Sequence, residues 1–189
     1  MIEGYVGRPG SGKSYTLTAR AIEEAESGRQ VFANYGLRHP NVERISVEDL
    51  VDPDMPPGLV VLDEAHLWFP ARLAMKLPPS LLMRWSQTRK AGWDILWSAQ
   101  HPKRIDSIIR DNSNLLWHCR AWKGFFSSEV SYFSATAYEP EEYRRAKKHI
   151  MRTTRRFSPK VAAYYDTLET LSIAAHVRAV KDTYREGAA

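Results

Sequence analysis

The stretch "GRPGSGKS", residues 7–14, carries glycine, lysine and serine at the spacing G-x-x-x-x-G-K-S. Gly10 and Gly12 admit backbone conformations closed to residues with a β-carbon, so successive amides can converge on a phosphate. Lys13 would reach the β- and γ-phosphates of a nucleoside triphosphate, and Ser14 would ligate Mg²⁺. The run Gly7, Arg8, Pro9, Gly10, Ser11, Gly12, Lys13, Ser14 and Tyr15 therefore reads as the nucleotide-binding segment, with ATP and Mg²⁺ as the expected cofactors.

A second cluster stands in "LVVLDEAHLWFP", residues 59–70. Asp63 and Glu64 follow four apolar residues, which places them at the carboxyl end of a buried strand, the edge of a parallel sheet that faces ligands. Asp63 would hold Mg²⁺ through water, and Glu64 would orient and activate the attacking water. A base for water favours hydrolysis over transfer to a small molecule. His66 reads as a polar packing residue, and Trp68 and Phe69 as core.

Gln100 ends "WDILWSAQ", where a polar side chain could sense the γ-phosphate or its water or could anchor the loop that follows, and Asn34 is a weaker candidate after another strand. Arg89 and Arg110 are candidates either for an arginine supplied to a neighbouring subunit's phosphates or for surface salt bridges. The six histidines and one cysteine show no metal-ligand spacing, and His118 and Cys119 fall on opposite faces of a strand.

These residues need a scaffold. Strands are expected at 2–6, 29–34, 59–62, 93–100, 114–122 and 129–138, the last two as a hairpin. Helices are expected at 13–28, 47–50, 78–92 and 139–149, with 36–46 and 52–58 as connectors. Strands alternating with helices behind a glycine loop specify an α/β P-loop NTPase, a mainly parallel sheet sandwiched by helices. Residues 1–167 read as the ATPase domain and 168–189 as an amphipathic helix or linker.

The totals narrow the class. The chain has 189 residues, enough for one domain with a sizeable core. One cysteine rules out an intrachain disulfide. No apolar run approaches a membrane span, and the glycine loop begins too early to leave room for a signal peptide, so the segment is expected to be soluble. Net charge is +5, and "RRAKKHIMRTTRRFSPK", residues 144–160, holds no acid. That stretch reads either as a solvated helix face and loop or as a contact for phosphate backbones or anionic lipid.

The letters "DEAH" also name a class of helicases. Such enzymes bind nucleotide between two RecA-like domains, and this chain has room for one and lacks a second-domain arginine-rich motif. A single domain of this kind works as a motor only where subunits share sites in an oligomer.

Read together, "GRPGSGKSY", "GRQVFANYGL", "LVVLDEAHLWFPAR", "QTRKAGWDILWSAQHPKRIDSIIRDNSNLLWHC" and "SPKVAAYYDT" resemble the cytoplasmic ATPase domain of the zonula occludens toxin (Zot) family, in order and over most of residues 1–167. That family includes the assembly protein of filamentous phages. The resemblance implies a RecA-type core of the FtsK/HerA kind and a ring-forming homo-oligomer at the cytoplasmic face of the host inner membrane. It implies ATP hydrolysis coupled to phage extrusion. The implied partners are phage assembly proteins at that membrane and a phage DNA or coat-covered genome. By position, Lys13, Ser14, Asp63, Glu64 and Gln100 take the roles given above. Family members usually continue into a membrane-spanning helix, whereas this sequence stops at "VKDTYREGAA". Competing expectations are a genome-packaging ATPase of a tailless virus, a small-molecule kinase with an acceptor pocket, and a non-hydrolysing nucleotide-binding scaffold, against which Glu64 speaks.

Overall fold

A computed structural model of the protein describes residues 1–71, 79–124, 129–145 and 148–166. The chain runs β1 (Ile2–Val6), α1 (Lys13–Glu26), β2 (Val31–Ala33), β3 (Val42–Arg44), β4 (Gly58–Leu62), α2 (Pro79–Ser86) and β5 (Trp93–Ala99). It continues through α3 (Ser107–Asp111), β6 (Leu115–Lys123), β7 (Val130–Tyr138), α4 (Pro140–Arg145), β8 (Met151–Arg156) and α5 (Pro159–Ala162). Among the described residues the strands form one eight-stranded sheet in the order β3-β2-β4-β5-β1-β6-β7-β8. The first six strands in that order are parallel, and β7 runs antiparallel to both β6 and β8.

The parallel strands are continuous apolar runs because both faces of the sheet are covered. Successive residues of one strand feed different cores. Leu59 and Val61 of β4 pack with Leu17, Ala21 and Ala25 of α1, whereas Val60 and Leu62 pack with Phe69, Trp85, Ile105 and Ile109 on the other side. Trp68 and Phe69 are 4% and 0% exposed, as their reading as core residues requires. The sheet is thus sandwiched by helices, an α/β fold with the expected parallel centre.

Four local expectations change. Residues 36–46 are not wholly a connector, since Val42–Arg44 pairs in parallel with β2 as an edge strand. Three residues, two of them charged, carry no periodic signal of their own. The 47–50 helix reduces to a 3₁₀ turn at Asp49–Val51. The 78–92 helix stops at Ser86 and unwinds into turns, with the Trp93 amide bonded to the carbonyl of Thr88 as β5 begins. The basic 144–160 stretch holds an antiparallel edge strand, Met151–Arg156, paired to β7 rather than a helix face. Its pairing is through the backbone at the sheet edge, so no apolar alternation is needed to form it. The expected helix at 168–189 lies outside the described residues.

Candidate nucleotide site

The loop between β1 and α1 turns on two glycines with left-handed backbones, Gly10 at φ 75° and Gly12 at φ 84°. Gly12 is the N-cap of α1, and its carbonyl accepts from the amide of Thr16 at 2.9 Å, so the first helical turn starts at Lys13. A β-carbon at Gly12 would stand 2.1 Å from the ring of Phe133 on β7. The glycine is therefore demanded twice, by its backbone angle and by the neighbouring ring. The N-terminus of the 14-residue α1 points its free amides at the loop, the arrangement that binds phosphate.

Lys13 is 5% exposed, and its Nζ donates to the Arg8 carbonyl at 3.4 Å. It also lies 4.0 Å from Oε1 of Glu64. Ser14 Oγ donates to Oδ2 of Asp63 at 2.6 Å. The phosphate loop and the acidic pair, 49 residues apart in sequence, thus meet in one cleft of about 450 Å³ whose lining includes Gly12, Lys13, Ser14, Asp63 and Glu64. A hydroxyl and a carboxylate side by side, next to a phosphate cradle, fit Mg²⁺ held with phosphate oxygens and water. Among the described residues no group of three or more His, Cys, Asp or Glu forms a separate metal site.

Asp63 is gripped from three sides. The Asn34 side chain accepts from the Asp63 amide at 2.7 Å and donates to the Asp63 carbonyl at 2.9 Å. On the opposite flank, Ser98 Oγ donates to Asp63 Oδ1 and accepts from the Glu64 amide, the latter at 2.9 Å. Strands β2 and β5 thereby clamp the residues that follow β4 between them. Glu64 has φ 47°, the one positive φ outside glycine among the described residues. Such a conformation costs an ordinary residue roughly 1–2 kcal/mol and persists where surrounding bonds over-determine it. Burial pushes the Glu64 carboxyl upward from its usual range. The Asp63 charge adds to that, and Lys13 and Arg104 oppose it.

Other sequence candidates fall variously. Tyr15 borders the cleft, but its hydroxyl is committed to the backbone of Arg156 and Ser158, and its ring packs 4.5 Å from Phe133. Ser11 is nearly buried, and its Oγ has no hydrogen-bond partner among the described residues. Gln100 accepts from Arg104 at 2.7 Å, so its amide ties down the loop after β5. Asn34 holds Asp63 and is not directed at phosphate. Arg89 is exposed in the turn before β5, at the sheet edge opposite the phosphate loop. Arg110 is 17% exposed and paired with Asp111. Neither arginine lines the cleft of its own chain.

Two residues escaped the sequence reading, Ser98 and Arg104, and a third, His66, was read there as polar packing. Ser98 lies inside an apolar strand, and its small polar side chain two places before the strand's polar end was the available signal. Arg104 gave no signal, because its effect on Glu64 depends on the loop's path. His66 Nδ1 stands 3.2 Å from Glu64 Oε2 without a hydrogen bond between them. Burial, then Arg104 and Lys13, lower its pKa against the pull of Asp63, which favours the neutral ring.

The family model for Zonular occludens toxin (Zot) matches residues 49–170, a stretch that begins after the phosphate loop. The fold is similar to the N-terminal domain of zonular occludens toxin from Neisseria meningitidis, with TM-score 0.65 and 23% identity over 87% of this chain and 98% of that one. It is also similar to the genome packaging NTPase B204 from Sulfolobus turreted icosahedral virus 2 in complex with ATP-gammaS, with TM-score 0.54 and 13% identity over 83% and 96%. The same NTPase in complex with AMPPCP gives TM-score 0.54 and 14% identity over the same shares. A comparison with curated proteins gives no match.

Proposed function

Because the chain belongs to the zonular occludens toxin (Zot) family, we propose that it is a Mg²⁺-dependent ATPase that works as a subunit of a phage-assembly motor. The observation that carries this reading is the meeting of Lys13, Ser14, Asp63 and Glu64 around one cleft on the phosphate loop. Its working part is residues 1–167.

Lys13 and the amides of the loop hold the β- and γ-phosphates. Ser14 and Asp63 hold Mg²⁺, which when bound neutralises charge on the phosphate oxygens. Glu64 takes a proton from water as the water oxygen bonds to the γ-phosphorus, and the bond to the β-γ bridging oxygen breaks to release ADP. Asn34 and Ser98 fix the backbone on which both acids stand. Neutral His66 leaves Glu64 Oε2 available as an acceptor. Gln100 acts through Arg104, whose charge faces Glu64. Arg89 and Arg110 remain the candidates for reaching a neighbouring subunit's phosphates in a homo-oligomeric ring.

Within that family reading, the motor extrudes filamentous phage at the cytoplasmic face of the inner membrane, with assembly proteins there and a phage genome as partners. The likeness to a packaging NTPase supports a second reading, translocation of double-stranded DNA into a preformed shell. Among the described residues no helix is long and apolar enough to cross a membrane. The test is ATP hydrolysis by wild type and Lys13→Ala, followed across oligomer sizes and with single- or double-stranded DNA. Loss of hydrolysis in Lys13→Ala is expected; normal turnover by that variant removes the site assignment. Strong stimulation by duplex alone favours packaging.

A further inference from the structure

The outer face of the antiparallel end of the sheet has no role in nucleotide chemistry. Directly opposed residues in an antiparallel pair project from the same face. Trp122 of β6 opposes Tyr132 of β7, which opposes Arg156 of β8; two residues along, Arg120 opposes Ser134, which opposes Thr154. The other face turns inward, where Phe133 meets Tyr15 and Arg155 pairs with Glu23 of α1. On this outward face Arg120, Arg152 and Arg156 are exposed, while Ser134 between them is buried. Among the described residues none of these three has a carboxylate within ion-pair distance.

Trp122 and Tyr132 are 38% and 39% exposed, and their rings stack at 6.0 Å with planes 13° apart. The indole N–H donates to Ser134 Oγ at 2.8 Å, which pins the pair to the sheet. Arginines on a sheet edge block edge-to-edge pairing, which accounts for the charge of β8. That explanation does not extend to two exposed aromatic rings fixed in parallel on the interior strands. A lipid surface calls for apolar side chains free to insert, whereas Trp122 is bonded to Ser134 and Tyr132 is stacked on Trp122.

We propose that this face binds single-stranded nucleic acid, with unpaired bases stacked on the Trp122–Tyr132 pair and phosphates held by Arg120, Arg152 and Arg156. Fixed aromatic platforms with flanking cations suit single strands, whose bases are free to stack, and not duplexes, whose bases are already stacked. The face is joined to the nucleotide site. A β-carbon on Gly7 would stand 2.8 Å from the Cys119 carbonyl, so the phosphate loop rests on the strand that carries Arg120 and Trp122. Arg8 of the loop, Arg120 and Trp122 also border one hollow of about 650 Å³. The inference rests on the reading of the chain as a nucleic-acid motor and names the strand that such a motor grips.

The test is fluorescence anisotropy of a labelled oligothymidylate of about 16 nucleotides, near the upper site size of single-strand-binding folds. A duplex of equal length and phosphatidylglycerol vesicles are the competitors. The full chain should prefer the single strand to both. Tyr132→Ala should weaken binding about 5- to 100-fold, and Tyr132→Phe should restore it. Arg152→Ala with Arg156→Ala should lower the salt slope by about 1 to 1.5. Thermal melts of each variant establish that it folds. Unchanged binding in both the aromatic and the arginine variants overturns the proposal, as does a preference for duplex or vesicles. Basal ATPase activity is measured in parallel. Hydrolysis without oligonucleotide binding removes the surface and leaves the enzyme, whereas binding without hydrolysis removes the motor reading.

Discussion

Ser98 on β5 donates its hydroxyl hydrogen to Oδ1 of Asp63, which follows the neighbouring strand β4. The other oxygen of that carboxylate receives Ser14 of the phosphate loop. One acid thus joins a central strand to the start of helix α1, and Ser98 decides which way it faces.

Ser98→Ala should therefore remove two contacts, the one to Asp63 and the one to the Glu64 amide. Ser98 is 0% exposed, so the Glu64 amide and one Asp63 oxygen lose their partner away from bulk water. The expected cost is about 1–3 kcal/mol of stability, read by urea denaturation. Turnover should fall as well, because Glu64 would lose the bond that holds its φ of 47°. A variant with wild-type stability and rate would show that the clamp is idle.

Glu64→Gln should bind an ATP analogue much as wild type does and lose about 10²- to 10⁴-fold in hydrolysis. Retention of rate would move the base elsewhere.

The pH profile follows from the environment of Glu64. Burial and Asp63 raise its pKa, so the base is lost to protonation at a higher pH than for an ordinary carboxylate as the solution is acidified. Arg104 pulls the pKa down. Arg104→Ala should therefore move the acid limb of the kcat profile to higher pH, and the Glu64→Gln background should show no such limb. A shift to lower pH contradicts the assignment.

Gly12→Ala and Gly10→Ala separate strain from crowding. Both glycines have positive φ, but a β-carbon at Gly10 meets nothing within 4 Å whereas one at Gly12 enters the Phe133 ring. Gly10→Ala should cost about 1–2 kcal/mol from backbone strain alone. Gly12→Ala should cost more and abolish nucleotide binding, measured by calorimetry. Equal effects would mean that Phe133 yields without penalty.

A structural prediction concerns Glu3, which is 2% exposed on central strand β1. Its Oε2 accepts from Arg20 at 2.6 Å, Trp117 Nε1 at 2.7 Å and Tyr5 at 3.1 Å. Arg20→Ala should leave that carboxylate buried without its cation and cost about 2–3 kcal/mol, somewhat below a fully buried pair because Arg20 is 30% exposed. Adding Glu3→Gln should recover part of the loss, and a double-mutant cycle measures the coupling.

What the sequence determined by itself was set locally. The glycine spacing carries its own backbone requirement, and "LVVL" before Asp63 carries the burial of a parallel strand, so the phosphate loop, the acidic pair and the α/β order were legible from residue types alone. Phe69 and Trp68 were legible as core for the same reason. Only the tertiary structure decided what lies across the strands. Ser98 and Asn34 act through neighbours that sequence distance hides, because pairing in a parallel sheet is set by register and not by chain order, and Arg104 acts on Glu64 through the path of the loop after β5. Strand β8 was hidden because backbone hydrogen bonds, open to almost any residue, build it. Its arginines read as a charged stretch in the sequence and become one edge of an aromatic, basic face only when β6 and β7 are laid beside them.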